Sequence, residues 1–240
     1  MFDSLHFQET NLINSPQLQE DQVHLWWMSL SITKKLQEEF VAGLNGHQRQ
    51  KLDRIKDVHR RQFYVAGRGY LNQLLMHYVG NDSGIELQFG QHGKPSLKNN
   101  SKELRFNFTD TCGYGLFAFA WSSELGVDLE NTQREGKFER IVQRRFAPEE
   151  QYLSSGTMSD FLHCWTRKEA FGKAKGVGLN YPLREHLLCE DMTQNECLLE
   201  QEGFYGQQFS IEVEKDKFVA CLFSEGQTEK ELIGFRLLSN

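Results

Sequence analysis

Proline is scarce in this chain, 4 in 240 residues, and the five cysteines (Cys112, Cys164, Cys189, Cys197 and Cys221) are scattered without a CxxC pair. An odd number of dispersed thiols argues against a disulfide framework and against a thiolate zinc site. Long apolar runs are missing too. The longest, Leu116 to Trp121, falls far short of the roughly 20 residues that cross a bilayer, so no membrane span is expected. The opening MFDSLHFQET has neither the basic nor the apolar block of a secretion signal, which makes the cytoplasm the expected location. Positive charge is in deficit: 27 Lys and Arg against 33 Asp and Glu leave a net charge of −6, which excludes general nucleic-acid binding. Neither GxxxxGK[ST] nor GxGxxG occurs, so the common phosphate cradles are absent.

What is present suffices to fold. A 39% hydrophobic fraction beside 25% charged residues is the balance of a soluble globular protein, with enough apolar surface to offset ordering entropy. Alternation predicts a strand over Val23–Ile32, and helical spacing of Leu52, Ile55, Phe63, Leu71, Leu74 and Tyr78 predicts two helices or one broken helix between Gln48 and Val79. Gly90–Pro95 is a glycine-rich turn. Strands are expected near Leu104–Phe108, Gly115–Trp121 and Leu125–Glu130, together forming a meander. Helices follow over Phe138–Phe146, Pro148–Leu153 and, most clearly, Phe161–Lys175, where Phe161, Trp165 and Phe171 are core residues by their spacing. The tail predicts strands at Leu187–Cys189, Phe209–Val213, Phe218–Phe223 and Leu232–Leu238. The two halves have similar content, and YGLFAFAWSSE and KFVACLFSEG are a faint internal echo. The fold class is α+β, a duplicated unit.

Chemistry concentrates in two stretches. In GVDLE, Asp128 and Glu130 are two residues apart, which in a strand points both carboxylates to one face and invites a cation; a pair of solvated acids at a strand end is the plain alternative. In WTRKEAFGKAKGVGL, Glu169 and Lys173 share a helix face, alone an ordinary i,i+4 pair. Between Gln48 and Arg68 the cations Arg49, Lys51, Arg54, Lys56, Arg60, Arg61 and Arg68 outnumber Asp53 and Asp57.

Taken in order, FYVAGRGYLNQLL, GQHGKPSL, FNFTDTCGYGLFAFAWSSELGVDLE and RRFAPEEQYL leading into WTRKEAFGKAKGVGL resemble the 4′-phosphopantetheinyl transferases of the larger, surfactin-synthetase-activating type. The resemblance implies two pseudo-symmetric halves, 1–126 with the coenzyme A nucleotide contacts and 127–240 with the metal ligands and catalytic helix, meeting at the active site in a monomer. It implies Mg2+ held by Asp128, Glu130 and Glu169, and Lys173, with Lys168 as a weaker candidate, against the pyrophosphate of coenzyme A. Lys94 and Pro95 would lie on the adenine nucleotide, and Arg60 and Arg61 would meet the 3′-phosphate. The carrier-protein serine would attack the β-phosphate, with Glu169 or else Glu130 as base. Arg140, Arg144 or Arg145 would face an acidic acyl or peptidyl carrier protein.

One position departs from the family. F-N-x-S-H-[ST] appears here as Phe106–Thr111 with Thr109 for the serine and Asp110 for the phosphate-contacting histidine. A carboxylate cannot donate to phosphate unless protonated. Asp110 can reach phosphate through metal or water, can orient a cation such as Arg61 or Lys94 (the favoured reading), or can mark a lineage of reduced activity. The alternative function is therefore a module that binds coenzyme A or a carrier protein without transfer.

Overall fold

A computed structural model of the chain describes residues 4–80, 85–98, 103–153, 156–189, 199–226 and 228–237; Cys197 and the end of the last expected strand lie outside them. In chain order the elements are β1 (Phe7–Thr10), β2 (Gln22–Ser29), α1 (Lys34–Ala42), α2 (Gly46–Arg54), α3 (Val58–Val79), the hairpin β3 (Leu87–Phe89) and β4 (Pro95–Leu97), β5 (Leu104–Thr111), β6 (Tyr114–Trp121) and β7 (Leu125–Asn131). Then come α4 (Glu139–Arg145), α5 (Pro148–Leu153), α6 (Met158–Ala174), β8 (Leu199–Gln201), β9 (Phe204–Val213), β10 (Asp216–Glu225) and β11 (Glu231–Leu237).

Two sheets stack face to face, one ordered β1-β11-β2-β6-β5 and the other β7-β10-β9-β8. Between them lies a core of Val23, Leu25, Trp27, Leu116, Ala118 and Ala120 from the first sheet and Leu125, Val127, Leu129, Phe218, Ala220 and Leu222 from the second. The opposite faces are also covered. Trp26, Met28, Phe117 and Phe119 receive Leu71, Leu74 and Leu75 of α3; Cys221 and Phe223 receive Ala170 and Phe171 of α6, while Val219 packs with Phe161, Leu162 and Trp165. Strands buried on both sides explain why VHLWWM and YGLFAFAW are nearly continuously apolar. Tyr78 of α3 locks onto the first sheet, accepting from Trp26 Nε1 and pairing with His24 Nδ1, both at 2.8 Å.

The duplication is visible in the pairing. β6 runs antiparallel to both β2 and β5 after the α1–α3 segment, and β10 runs antiparallel to both β7 and β9 after the α4–α6 segment. The expected meander does not form. After Ser122–Glu124 the chain leaves the first sheet, and β7 pairs with β10 instead of continuing beside β5 or β6. β5 and β7 are joined by a side chain, Asn107 Oδ1 accepting from Val127 N at 3.0 Å. The expected strand at Leu187–Cys189 has no ladder either. Its backbone is satisfied otherwise: Leu188 N donates to Glu150 and the Leu188 carbonyl accepts from Arg167 Nη1 at 3.4 Å, while just upstream the Leu183 and His186 carbonyls accept from Lys168. A boundary at 126/127 falls inside β7, and β11 returns to the first sheet between β1 and β2, so the two halves exchange their last strands.

Candidate active site

β7 carries alternating faces: Leu125, Val127 and Leu129 enter the inter-sheet core, which turns Gly126, Asp128 and Glu130 toward α6. The two elements touch backbone to backbone. A Cβ on Gly126 would lie 2.2 Å from Ala174 N and 2.3 Å from Ala170 O, so only glycine admits α6 this close. That approach brings Lys173 onto the strand: its Nζ donates to Asp128 Oδ1 at 2.6 Å, to the Val127 carbonyl at 3.1 Å and to Thr109 Oγ1 at 3.2 Å, while the Thr109 hydroxyl donates to Asp128 Oδ1 at 3.3 Å. Residues from β5, β7 and α6 thus meet at one seam.

The acids there differ in what holds them. Asp128 is 5% exposed, and its Oδ2 is buried without a hydrogen-bond partner among the described residues. Glu130 is 8% exposed and accepts both of its charge-assisted bonds from Arg134, at 2.9 and 3.0 Å. Burial and then the charge of Asp128 raise the Glu130 carboxyl above the ordinary range, against the pull of Arg134 and Lys173. Glu169 is pushed up to about 7, chiefly by burial and by Asp128, with Glu130 adding and Lys173 and Arg145 opposing. The charge of Asp128 thus acts on both glutamates, and that of Glu130 on Glu169, which places the three acids in one electrostatic cluster. Among the described residues no three His, Cys, Asp or Glu groups stand close enough to bind a metal ion unaided.

The remaining predicted residues are distributed differently. Asp110 lies one pleat beyond Phe108 at the end of β5, exposed at its surface, and partial desolvation raises its carboxyl while Lys173, Arg68, Arg60 and Lys51 draw it down. Its carboxylate closes no hydrogen bond or ion pair among the described residues, so it does not orient Arg61 or Lys94. Arg61 instead donates to the Leu52 and Ile55 carbonyls, at 2.6 and 3.2 Å, closing the C-terminus of α2. Arg68, counted in the basic stretch but given no role by the sequence, has its guanidinium 4.7 Å from the Phe108 ring centre and 5.3 Å from that of Tyr64, which also faces Lys51. Pro95 opens β4 opposite Phe89, and Lys94 beside it lines a cleft of about 480 Å³ with Gly90, Arg105, Phe106 and Lys175.

Lys168 is a correction. It is 0% exposed, paired with Glu150 and donating to the Leu183 and His186 carbonyls at 2.8 and 2.9 Å, so it touches no ligand surface. Helical spacing offered a hint: Lys168 stands about 100° around α6 from Glu169 and about 140° from Lys173, off the face those two share. Of the basic residues expected to face a partner, Arg140 and Arg144 are exposed, whereas Arg145 donates to the Leu179 carbonyl.

Comparison with known proteins meets the same region. The family model described as the 4′-phosphopantetheinyl transferase superfamily matches residues 124–223, from the residue before β7 almost to the end of β10. The chain is 30% identical over 170 residues to the 4′-phosphopantetheinyl transferase HetI of Nostoc sp., covering 68% of this chain and 72% of that one. It is 25% identical over 167 residues to the 4′-phosphopantetheinyl transferase Sfp of Bacillus subtilis, covering 65% and 71%. Over 160 residues it is 25% identical to the human L-aminoadipate-semialdehyde dehydrogenase-phosphopantetheinyl transferase, covering 60% and 52%.

Proposed function

The chain belongs to the 4′-phosphopantetheinyl transferase superfamily, and from that membership we infer that it moves the 4′-phosphopantetheine group from coenzyme A to a serine of an apo carrier protein, releasing 3′,5′-ADP. The observation that carries the reading to particular residues is the convergence of Asp128, Glu130, Glu169, Lys173 and Thr109 on the seam between the two halves. Nothing in the site favours a relative that binds without transfer.

Catalysis of phosphoryl transfer of this kind is positioning and charge stabilisation. Asp128 Oδ2, buried and unpartnered among the described residues, is an atom that a divalent cation would satisfy, and Asp128 with Glu169 and Glu130 would hold magnesium there. Bound there, magnesium would neutralise charge on the pyrophosphate as a Lewis acid. Lys173 would meet the charge that develops on departing 3′,5′-ADP by giving up one of its three bonds at the seam. Glu169 is the stronger candidate base. With its affinity for a proton raised to about 7 and no hydrogen bond among the described residues, it can take the serine proton, whereas Glu130 already accepts from Arg134 with both oxygens. Thr109 supplies the hydroxyl between Lys173 and Asp128.

Substrate phosphates would enter from the side of Arg60, Arg68 and Lys51, with the nucleotide toward Pro95. The active unit is a monomer in this reading, because both halves of the cleft come from one chain. The direct test is the intact mass of an apo carrier protein incubated with the protein, coenzyme A and magnesium. A phosphopantetheine mass gain that disappears in Asp128→Asn is the expected result; no gain on carriers of several unrelated systems would overturn the reading.

A further inference from the structure

We propose that Lys94 is a positioning residue of the transferase site, whose ammonium clamps the C-terminal end of α6 to the first residue of β7 and thereby holds Lys173 and Glu169 against Asp128. Its Nζ donates to the Ala174 carbonyl at 3.0 Å, to the Leu125 carbonyl at 3.0 Å and to Glu124 Oε2 at 2.7 Å. An ammonium has three donors, and all three are used inside the protein. A nucleotide would have to pull one away.

The place of the clamp gives it leverage. The last four carbonyls of a helix lack intrahelical partners, and a helix end frays unless something closes it. Ala174 is the last residue of α6 and follows directly on Lys173, while Leu125 stands three positions before Asp128 on β7. One cation therefore ties together the two backbones whose register decides the 2.6 Å contact between Lys173 and Asp128. The positive charge also suits the negative end of the helix dipole.

Lys94 is itself held. The hairpin carrying it is closed by Gly90 N donating to the Lys94 carbonyl at 3.0 Å, with Gly93 turned at φ 85°. Glu124 is steadied by Arg105 Nε at 3.3 Å. Gly176, at φ 75°, lies against the lysine stem, where an added Cβ would sit 3.6 Å from Lys94 Cδ. Burial lowers the proton affinity of Lys94, opposed by Glu124, as expected for a cation enclosed by protein rather than offered to solvent.

This proposal rests on the transferase reading for its kinetic readout alone, and a second readout is independent of it. In Lys94→Met, kcat for phosphopantetheine transfer is expected to fall about tenfold or more while KM for coenzyme A stays within about twofold, because displacing catalytic groups by a fraction of an ångström acts on the transition state. A rise in KM with kcat held would make Lys94 a nucleotide contact and overturn the clamp. Hydrogen–deuterium exchange of residues 170–177 should quicken in the same variant without ligand; unchanged exchange overturns the proposal. Glu124→Gln, a milder change, should move both readouts in the same direction and serves if Lys94→Met does not fold. Lys94→Cys treated with 2-bromoethylamine rebuilds an ammonium of similar reach and should restore slow exchange and kcat, with the parent protein treated alike as the control for Cys112. Failure of that rescue overturns the proposal. If the parent transfers nothing, the transferase reading has failed and the exchange measurement alone decides the clamp.

Discussion

Asp110 places a negative charge, unpaired by any side chain among the described residues, in the field of the cations Lys173, Arg68, Arg60 and Lys51. Since it orients none of those cations through a direct bond, its effect on an incoming phosphate is repulsion, softened by exposure to water. Asp110→Asn is therefore expected to lower KM for coenzyme A roughly fivefold with kcat unchanged, the scale of an exposed charge worth about 1 kcal/mol; a higher KM in steady-state kinetics would return Asp110 to a supporting role. The opposite situation holds at Glu169, whose carboxyl is crowded by burial and by Asp128 and carries a folded value of about 7 against 4.5 when free. Between those values the folded chain keeps a proton that the unfolded chain has released, so this group's contribution to stability is lost as the pH rises through 7. Ligand-free Glu169→Gln should then melt above the parent at pH 8, by on the order of 1–2 kcal/mol after allowance for partial exposure, with no gain at pH 4.5. Thermal scans at the two pH values check it.

At the level of the element, the site depends on how α6 is seated. Gly126→Ala would put a methyl into the α6 backbone and should destabilise the fold by roughly 1–3 kcal/mol while reducing transfer, since the helix must lift away from Asp128. Lys168→Met separates the two roles. It strands the buried Glu150 carboxylate and should lower stability in denaturant titration by about 3–5 kcal/mol, with KM for coenzyme A unaltered in the folded fraction. Most elements were legible beforehand because their period is local: β2, α3, β5, β6 and α6 bury continuous or helically spaced apolar residues. The short polar elements were not. β1 and α1 bury little, and α1 offers only Leu36, Phe40 and Val41 at helical spacing beside the Thr33 cap on Leu36 N. The false strand at Leu187–Cys189 has the apolar character of one, but Arg167 and Glu150 satisfy its backbone from a distance no local pattern reports. The site divides in the same way: the spacing of Asp128 with Glu130 and of Glu169 with Lys173 reports which side chains share a face, but not that Arg61 is spent on α2 or that Arg134 forks Glu130.

For the molecule as a whole, the likeness of the two halves suggests a cut at 126/127 that the topology forbids. β11, from the far end of the chain, lies between β1 and β2 in the first sheet, pairing parallel with both. β7, from the middle of the chain, forms the edge of the second sheet and supplies Asp128 and Glu130 to the site. Phe235 of β11 is packed in the same cluster as Trp26, Leu71 and Leu75, so removing that strand opens the core under α3 as well as the sheet. Parallel pairing over such a separation in sequence is formed against a large loop-closure entropy, and it is held only while both halves are folded together. Fragments 1–126 and 127–240 expressed apart should thus be unfolded or insoluble, showing little amide protection, while their co-expression should restore a folded complex, with transfer activity if Asp128 regains Lys173 and Thr109 at the seam. Circular dichroism and exchange protection of each fragment decide the matter, and an independently folded 1–126 would show that the exchanged strand is an ornament of the first half instead of part of its core.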